Sequence, residues 1–147
     1  MLRLSKKTDY AIILLSHLGG SPIPVSAQEV STHYRLPQPM AANILKQLAS
    51  AGMTESVRGQ RGGYILSRNA ESITLAEIVQ AMDGEFNLVE CVHEEDRCKV
   101  AQNCPTRGPL TALHRRIQHF MEETTLSSII TEGLTEREPQ TLVSKES

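Results

Sequence analysis

Apolar side chains return every three or four positions through Thr8–Leu18, where Ala11, Leu14, Leu15 and Leu18 fall on one side, and this spacing predicts a helix. Gly19-Gly20 is expected to end it, with Pro22 and Pro24 marking a loop. Ser26-Ala-Gln-Glu29 is a capping box, in which each side chain can satisfy an amide left free at a helix start. A short helix is predicted from there to about Tyr34, and Leu36-Pro37 makes a tight turn. A third helix is predicted over Gln38–Ala51, with Pro39 tolerated in its first turn and Gly52 as its stop. Its inward stripe is Ala41, Ile44, Leu45 and Leu48, while Asn43, Lys46, Gln47 and Ser50 share the polar face. Two short helices across a tight turn form the helix-turn-helix pattern.

The rhythm changes after Gly52. Two short strands are predicted within Thr54–Ser67, flanking Arg58-Gly-Gln-Arg-Gly-Gly63. Its three glycines are expected to supply positive φ and to let the tip approach another surface. Arg58, Gln60 and Arg61 sit at that tip. A helix-turn-helix followed by a basic hairpin is a winged helix. Thr74-Leu-Ala-Glu77 is a second capping box, opening a helix with Leu75, Ile78, Val79 and Met82 inward and Gly84 as its stop. Pro109 is expected to open a longer helix with Leu110, Leu113, Ile117, Phe120, Met121 and Leu126 on one side. That stripe needs a cover, and a second copy of the same helix would give a two-fold dimer. The predicted fold is therefore mostly α with a small β-wing. Residues 1–84 form the winged helix-turn-helix domain and 85–108 a cysteine-rich loop. Residues 109–132 form a dimerisation helix with a short following helix, and 133–147 a polar, disordered tail.

Length and composition add three facts. A chain of 147 residues can bury a core without metal or disulfide support. No apolar run approaches the length of a membrane span, and the N-terminus lacks a signal-peptide core, so a soluble cytoplasmic protein is expected. The net charge of −2 hides an asymmetry: residues 1–70 hold eight Lys/Arg against three acids, and residues 71–147 hold seven against fourteen. A basic first half suits an anionic partner. With the predicted fold, that partner is double-stranded DNA. The third helix enters the major groove, with Gln38, Met40, Asn43, Lys46 and Gln47 toward base edges or phosphates. Arg58 and Arg61 flank the minor groove with Gln60 between them, and Lys6 and Lys7 meet phosphates. No phosphate-cradling loop with a lysine and no nucleophile–base pairing is present, so the chain is read as neither an enzyme nor a binder of a small-molecule substrate.

All three cysteines, Cys91, Cys98 and Cys104, lie in one polar stretch with the spacing C-x6-C-x5-C. Thiolates bind soft metals and iron–sulfur clusters. The spacing suits a ligand larger than one ion, and the tight C-x2-C pairs of structural zinc sites are missing. Unrelated surface thiols and a thiol–disulfide switch stand as alternatives.

Leu4-Ser-Lys-Lys-Thr-Asp-Tyr-Ala11, Val57-Arg-Gly-Gln-Arg-Gly-Gly-Tyr-Ile-Leu66 and the three-cysteine loop together resemble the winged-helix iron–sulfur regulators typified by IscR, NsrR and the regulators of the SUF assembly operon, over residues 1–132. Cys104-Pro-Thr-Arg-Gly108 and Thr125-Leu-Ser-Ser are most similar to the SUF-type branch. The resemblance implies a homodimer on a palindromic operator, holding an iron–sulfur cluster, 2Fe–2S in preference to 4Fe–4S, and repressing or activating promoters with cluster state. It also bears on the fourth ligand. Where the IscR type has a histidine three residues after the last cysteine, this chain has Arg107, which stays protonated and cannot ligate. The NsrR type uses an aspartate of the other subunit near the start of the first helix, and the matching residue is Asp9. An acid in a first helical turn also simply suits the macrodipole, so Asp9 has both readings. His93 lies inside the loop without support from the family pattern. His114 is read as packed or solvated, and His17, His33 and His119 as structural or surface residues. The rival functions are a thiol, metal or nitric-oxide-type sensor of the same fold, and an iron–sulfur carrier or assembly protein.

Overall fold

The computed structural model describes residues 3–89 and 99–135. Among these residues, six α-helices and a two-stranded antiparallel sheet make a winged-helix head with an appended helical arm. Helix α1 (Lys6–Gly20) starts on Ser5, whose hydroxyl accepts from the Thr8 amide at 3.1 Å. It runs through Gly19-Gly20 instead of stopping there, and ends on Ser21. Gly19 packs beside Leu66 and Ile130, where a Cβ would meet ordinary contacts of 3.4 and 3.6 Å, so the helical turn fits its surroundings without requiring a glycine.

Helix α2 (Ala27–Tyr34) opens with the expected capping box. The Glu29 amide donates to Ser26 at 3.1 Å and the Ser26 amide to Glu29 at 2.6 Å. Helix α3 (Gln38–Ser50) buries Ala41, Ile44, Leu45 and Leu48. Each of the three larger side chains contributes about 2 kcal/mol by leaving water. Gly52, at φ 77°, supplies the left-handed exit.

Strands β1 (Thr54–Val57) and β2 (Gly63–Leu66) pair from Thr54↔Leu66 to Val57↔Gly63. Val25 adds a bridge to Tyr64 through amide–carbonyl bonds of 3.0 and 2.8 Å. The wing glycines divide their work differently from expectation. Gly59 alone of the three has positive φ, at 132°. Gly62 and Gly63 serve close approach instead: a Cβ would sit 2.6 Å from the Val57 carbonyl oxygen in one case and 2.5 Å from the Val25 carbonyl carbon in the other.

A 3-10 turn (Ala70–Ser72) leads into α4 (Leu75–Asp83), which opens with the Thr74–Glu77 capping box. Arg68 reinforces that box by donating to Glu77 at 2.6 Å. Partial burial pushes the Glu77 carboxyl up, but hydrogen bonds from Arg68 and Thr74 outweigh it and hold it below the usual range. Gly84 ends the helix at φ 83°.

Helix α5 (Arg107–Glu123) begins two residues ahead of Pro109. Proline fits in a first turn because the amide it lacks has no helical acceptor there. Helix α6 (Leu126–Thr135) continues past Gly133, so residues 133–135 are helical where the sequence suggested the start of a tail. The rest of that tail, 136–147, lies outside the described residues.

Helix α6 brings the chain back to the head. Leu126 is fully buried in the same core as Leu14, Leu15, Leu45 and Ile78. The Leu126 amide donates to the Ile73 carbonyl and the Leu75 amide to the Thr124 carbonyl, both at 2.8 Å. On α5 the apolar stripe divides: Met121 is buried, whereas Leu113 and Phe120 are 46% and 65% exposed. No helix among the described residues is long and apolar enough to cross a membrane.

Candidate nucleic-acid interface and cysteine segment

The turn between α2 and α3 is built from Arg35, Leu36 and Pro37. Buried Ser31 fixes it: its carbonyl accepts from the Leu36 amide at 2.9 Å and its hydroxyl donates to the Leu36 carbonyl at 2.6 Å. Arg35 caps α2 in the left-handed region, at φ 55° and ψ 41°. The buried stripe of α3 then turns Asn43, Lys46 and Ser50 to solvent, and Gln38 and Met40 are exposed near its start. Gln47 departs from this set. It is half-buried, and its amide oxygen is enclosed without a hydrogen-bond partner.

The wing is tied to α3 at its base. The buried Thr54 hydroxyl donates to the Leu45 carbonyl at 3.2 Å, and the Ser67 amide donates to the Met53 carbonyl at 3.1 Å. Between the strands, Arg58, Gln60 and Arg61 are all exposed, and the Gly62 amide closes the tip onto the Gly59 carbonyl at 3.1 Å. The side chains of Lys46, Arg58 and Arg61 make no ion pair or hydrogen bond among the described residues. Arg68, by contrast, is engaged with Glu77 and with the Ser72 carbonyl.

At the start of α1, Lys6 pairs with Asp9 at 3.6 Å, a contact between two well-exposed side chains worth little in water. Lys7 donates to the Met82 carbonyl at 3.4 Å. Beside it the Asp83 carboxylate accepts from the Ser5 and Thr8 hydroxyls, each at 2.6 Å. Partial burial works to raise the Asp83 carboxyl, but these bonds hold it below the ordinary aspartate value. This clamp joins the last turn of α4 to the first turn of α1, and sequence reasoning missed it. Nothing in the spacing of Ser5, Thr8 and Asp83 announces a contact spanning more than seventy residues.

Of the candidate cluster ligands, Cys91 and Cys98 lie outside the described residues, as does His93. Cys104 is half-buried in the turn before α5, with its sulfur 3.3 Å from the Thr106 hydroxyl. That bond, with backbone amides and the Arg107 charge, holds the thiol below its ordinary value. A thiol biased toward thiolate suits an iron ligand. Asp9, the candidate fourth ligand, stands half-exposed on Lys6. His114 is buried, with its ring stacked on Phe86 at 5.3 Å and its Nδ1 3.4 Å from the Leu88 amide. His17 lies 3.0 Å from the Tyr34 hydroxyl and against the His33 ring, and His119 pairs with Glu123 at 3.2 Å.

Comparison with known proteins places these features in one group. The Rrf2 profile, described as an iron-dependent transcriptional regulator, matches residues 4–132. The protein aau3 of Rhizobium meliloti is 32% identical over 123 residues, covering 82% of this chain and 78% of its own. The transcriptional regulator NsrR of Halalkalibacterium halodurans is 28% identical over 133 residues, covering 88% and 91%. Among solved structures, the IscR of T. potens superposes with a TM-score of 0.71 at 22% identity, covering 95% of this chain and 93% of that one.

Proposed function

Since the chain belongs to the Rrf2 family of transcriptional regulators, which are not enzymes, we propose that it binds a palindromic operator as a homodimer under the control of an iron–sulfur cluster, with SUF-type cluster-assembly genes as its targets. One observation carries the DNA-binding part. Among the described residues, Lys46, Arg58 and Arg61 stand exposed without an ionic partner on a helix-turn-helix and its wing, while Arg68 beneath the wing is paired with Glu77. Unpaired cations on a reading surface are free to displace counterions from phosphates. Lys6, Lys7, Gln38, Met40, Asn43, Gln47 and Gln60 complete the proposed surface.

The dimer reading rests on α5. Leu113 and Phe120 are exposed, and Phe120 borders a groove with Leu4, Phe86 and Ile117. A second copy of the helix would cover this apolar face. The cluster reading rests on the donor set. Cys91, Cys98 and Cys104 would hold the group, with Asp9 of the second copy as fourth ligand, and the thiolate-favouring surroundings of Cys104 fit that role. When bound, a 2Fe–2S group supplies a thiolate-held junction sensitive to oxidants, nitric oxide and iron supply. Asp9 would tie the start of one α1 to the cysteine segment of its mate. Through the Asp83 clamp, the last turn of α4 then shares that position. The separation of the two α3 helices, which must match about one turn of DNA, would change when Asp9 is released.

The test has two parts. Changing Arg58 and Arg61 to Ala should weaken binding to an operator selected from a random duplex pool. It should also lower the slope of log affinity against log salt by about 2, near 0.9 per lost contact. An unchanged slope rules out the DNA surface. Anaerobically purified, iron- and sulfide-containing protein should then bind that operator with an affinity different from the apo-protein at fixed salt. Equal affinities rule out cluster control.

A further inference from the structure

Among the described residues, Arg35 is the one non-glycine with positive φ. That region crowds any side chain carrying a Cβ, and glycine or asparagine is the ordinary choice at such a helix exit. Three hydrogen bonds hold the backbone there. The Arg35 and Leu36 amides both reach the Ser31 carbonyl, and the Ser31 hydroxyl holds the Leu36 carbonyl. The position therefore imposes its conformation on whatever residue occupies it, and this chain fills it with arginine.

Arg35 is exposed, and its side chain makes no ion pair or hydrogen bond among the described residues. A strained position kept by an unsupported charged side chain points to a role outside the fold. Its location says which. Arg35 precedes Gln38, the first residue of α3, by three positions, so the two Cα atoms lie within about 11 Å. A helix entering a major groove about 12 Å wide brings the turn before it to the groove wall, which is made of phosphates. The start of α3 is also left electropositive. Unlike α1, α2 and α4, it has neither a side-chain cap nor an acidic residue in its first turn. A guanidinium offers a phosphate two parallel donors.

We propose that Arg35, beside the uncapped start of α3, clamps a DNA backbone phosphate without regard to sequence. This inference rests on the DNA-binding reading above and adds a contact that the sequence analysis did not assign.

The experiment uses the full chain, with Arg35→Gly, Arg35→Lys and the Arg58→Ala/Arg61→Ala double variant. The probe is a fluorescein-labelled mixed-sequence duplex roughly 30 base pairs long, about three helical turns. Anisotropy titrations across a salt series give the slope of log affinity against log salt, and urea melts give stability. Arg35→Gly should bind about fivefold more weakly at low salt and lose about 0.9 from the slope. Its urea midpoint should equal or exceed that of wild type, because glycine relieves the left-handed strain. Arg35→Lys should keep the slope. A wild-type slope in Arg35→Gly, with a reduced one in the wing variant, would overturn the clamp and leave DNA binding standing. A lowered midpoint in Arg35→Gly would overturn it too, by making the arginine a structural residue. If no variant changes the slope, the DNA-binding reading fails and the clamp fails with it.

Discussion

Helices α3 and α5 are both amphipathic, yet their apolar residues meet different fates. In α3, Ala41, Ile44, Leu45 and Leu48 are at most 1% exposed, because α1, α2 and α4 surround them. In α5, one edge alone finds cover among the described residues. Met121 and His114 are buried against α4 and the segment after it, while Leu113 and Phe120 face outward. The same helical period appears in both sequences. Periodicity marks which side of a helix avoids water, but it does not say what supplies the cover. In the head the cover is local in the fold; on the arm it is missing from the described chain, and a second copy is our proposed source.

The largest effect should come from the head. Leu45→Ala leaves a cavity between fully buried neighbours and should cost about 3 kcal/mol. A urea melt should show this loss to the same extent at every protein concentration. Phe120→Ala addresses the arm. If a second copy covers α5, the change should weaken the dimer by about 2 kcal/mol, roughly thirtyfold in dissociation constant by sedimentation. A dissociation constant equal to wild type would mean that the two helices differ for some other reason. The smallest effect concerns the junction between the two regions. The folded-state value of Asp83 is depressed, so its contribution is complete above the unfolded value and is lost as pH falls through the folded one. Wild type should therefore lose part of its urea midpoint below about pH 4 that Asp83→Asn lacks at every pH. The two curves should converge in acid, and a constant gap between them would assign the clamp no titrating role.

The parts of this molecule legible in the sequence are those whose chemistry is short-range. The Ser26–Glu29 and Thr74–Glu77 boxes each close within four residues, so their sequences suffice to predict their bonds. The stripe of α3 and the stop at Gly52 follow from local spacing in the same way. Where the reading slipped, the cause lay elsewhere in the chain. Gly62 and Gly63 are needed because Val57 and Val25 press on them, and a glycine in a sequence does not reveal whether it frees φ or makes room. Gly19-Gly20 suggests a stop by residue type alone, yet α1 runs through both and ends on Ser21. Gln47 belongs to the polar face by spacing, but its amide oxygen is enclosed. Arg35 went unremarked because its left-handed backbone is imposed by Ser31 and Leu36. On the cysteine segment, residue type and spacing carried the chemical reading, and the structure adds the surroundings of Cys104.

The return of α6 to the head has a practical consequence. Leu126 fills the same core as Leu14 and Leu45, and the Thr124 carbonyl and Leu126 amide are stitched to Leu75 and Ile73. The chain that leaves the head at Gly84 is thus moored to it again forty residues later, like a rope made fast at both bollards. A fragment cut at Gly84 would carry a vacant socket where Leu126 belongs, so a soluble minimal DNA-binding piece should include α6, joined through a short artificial linker.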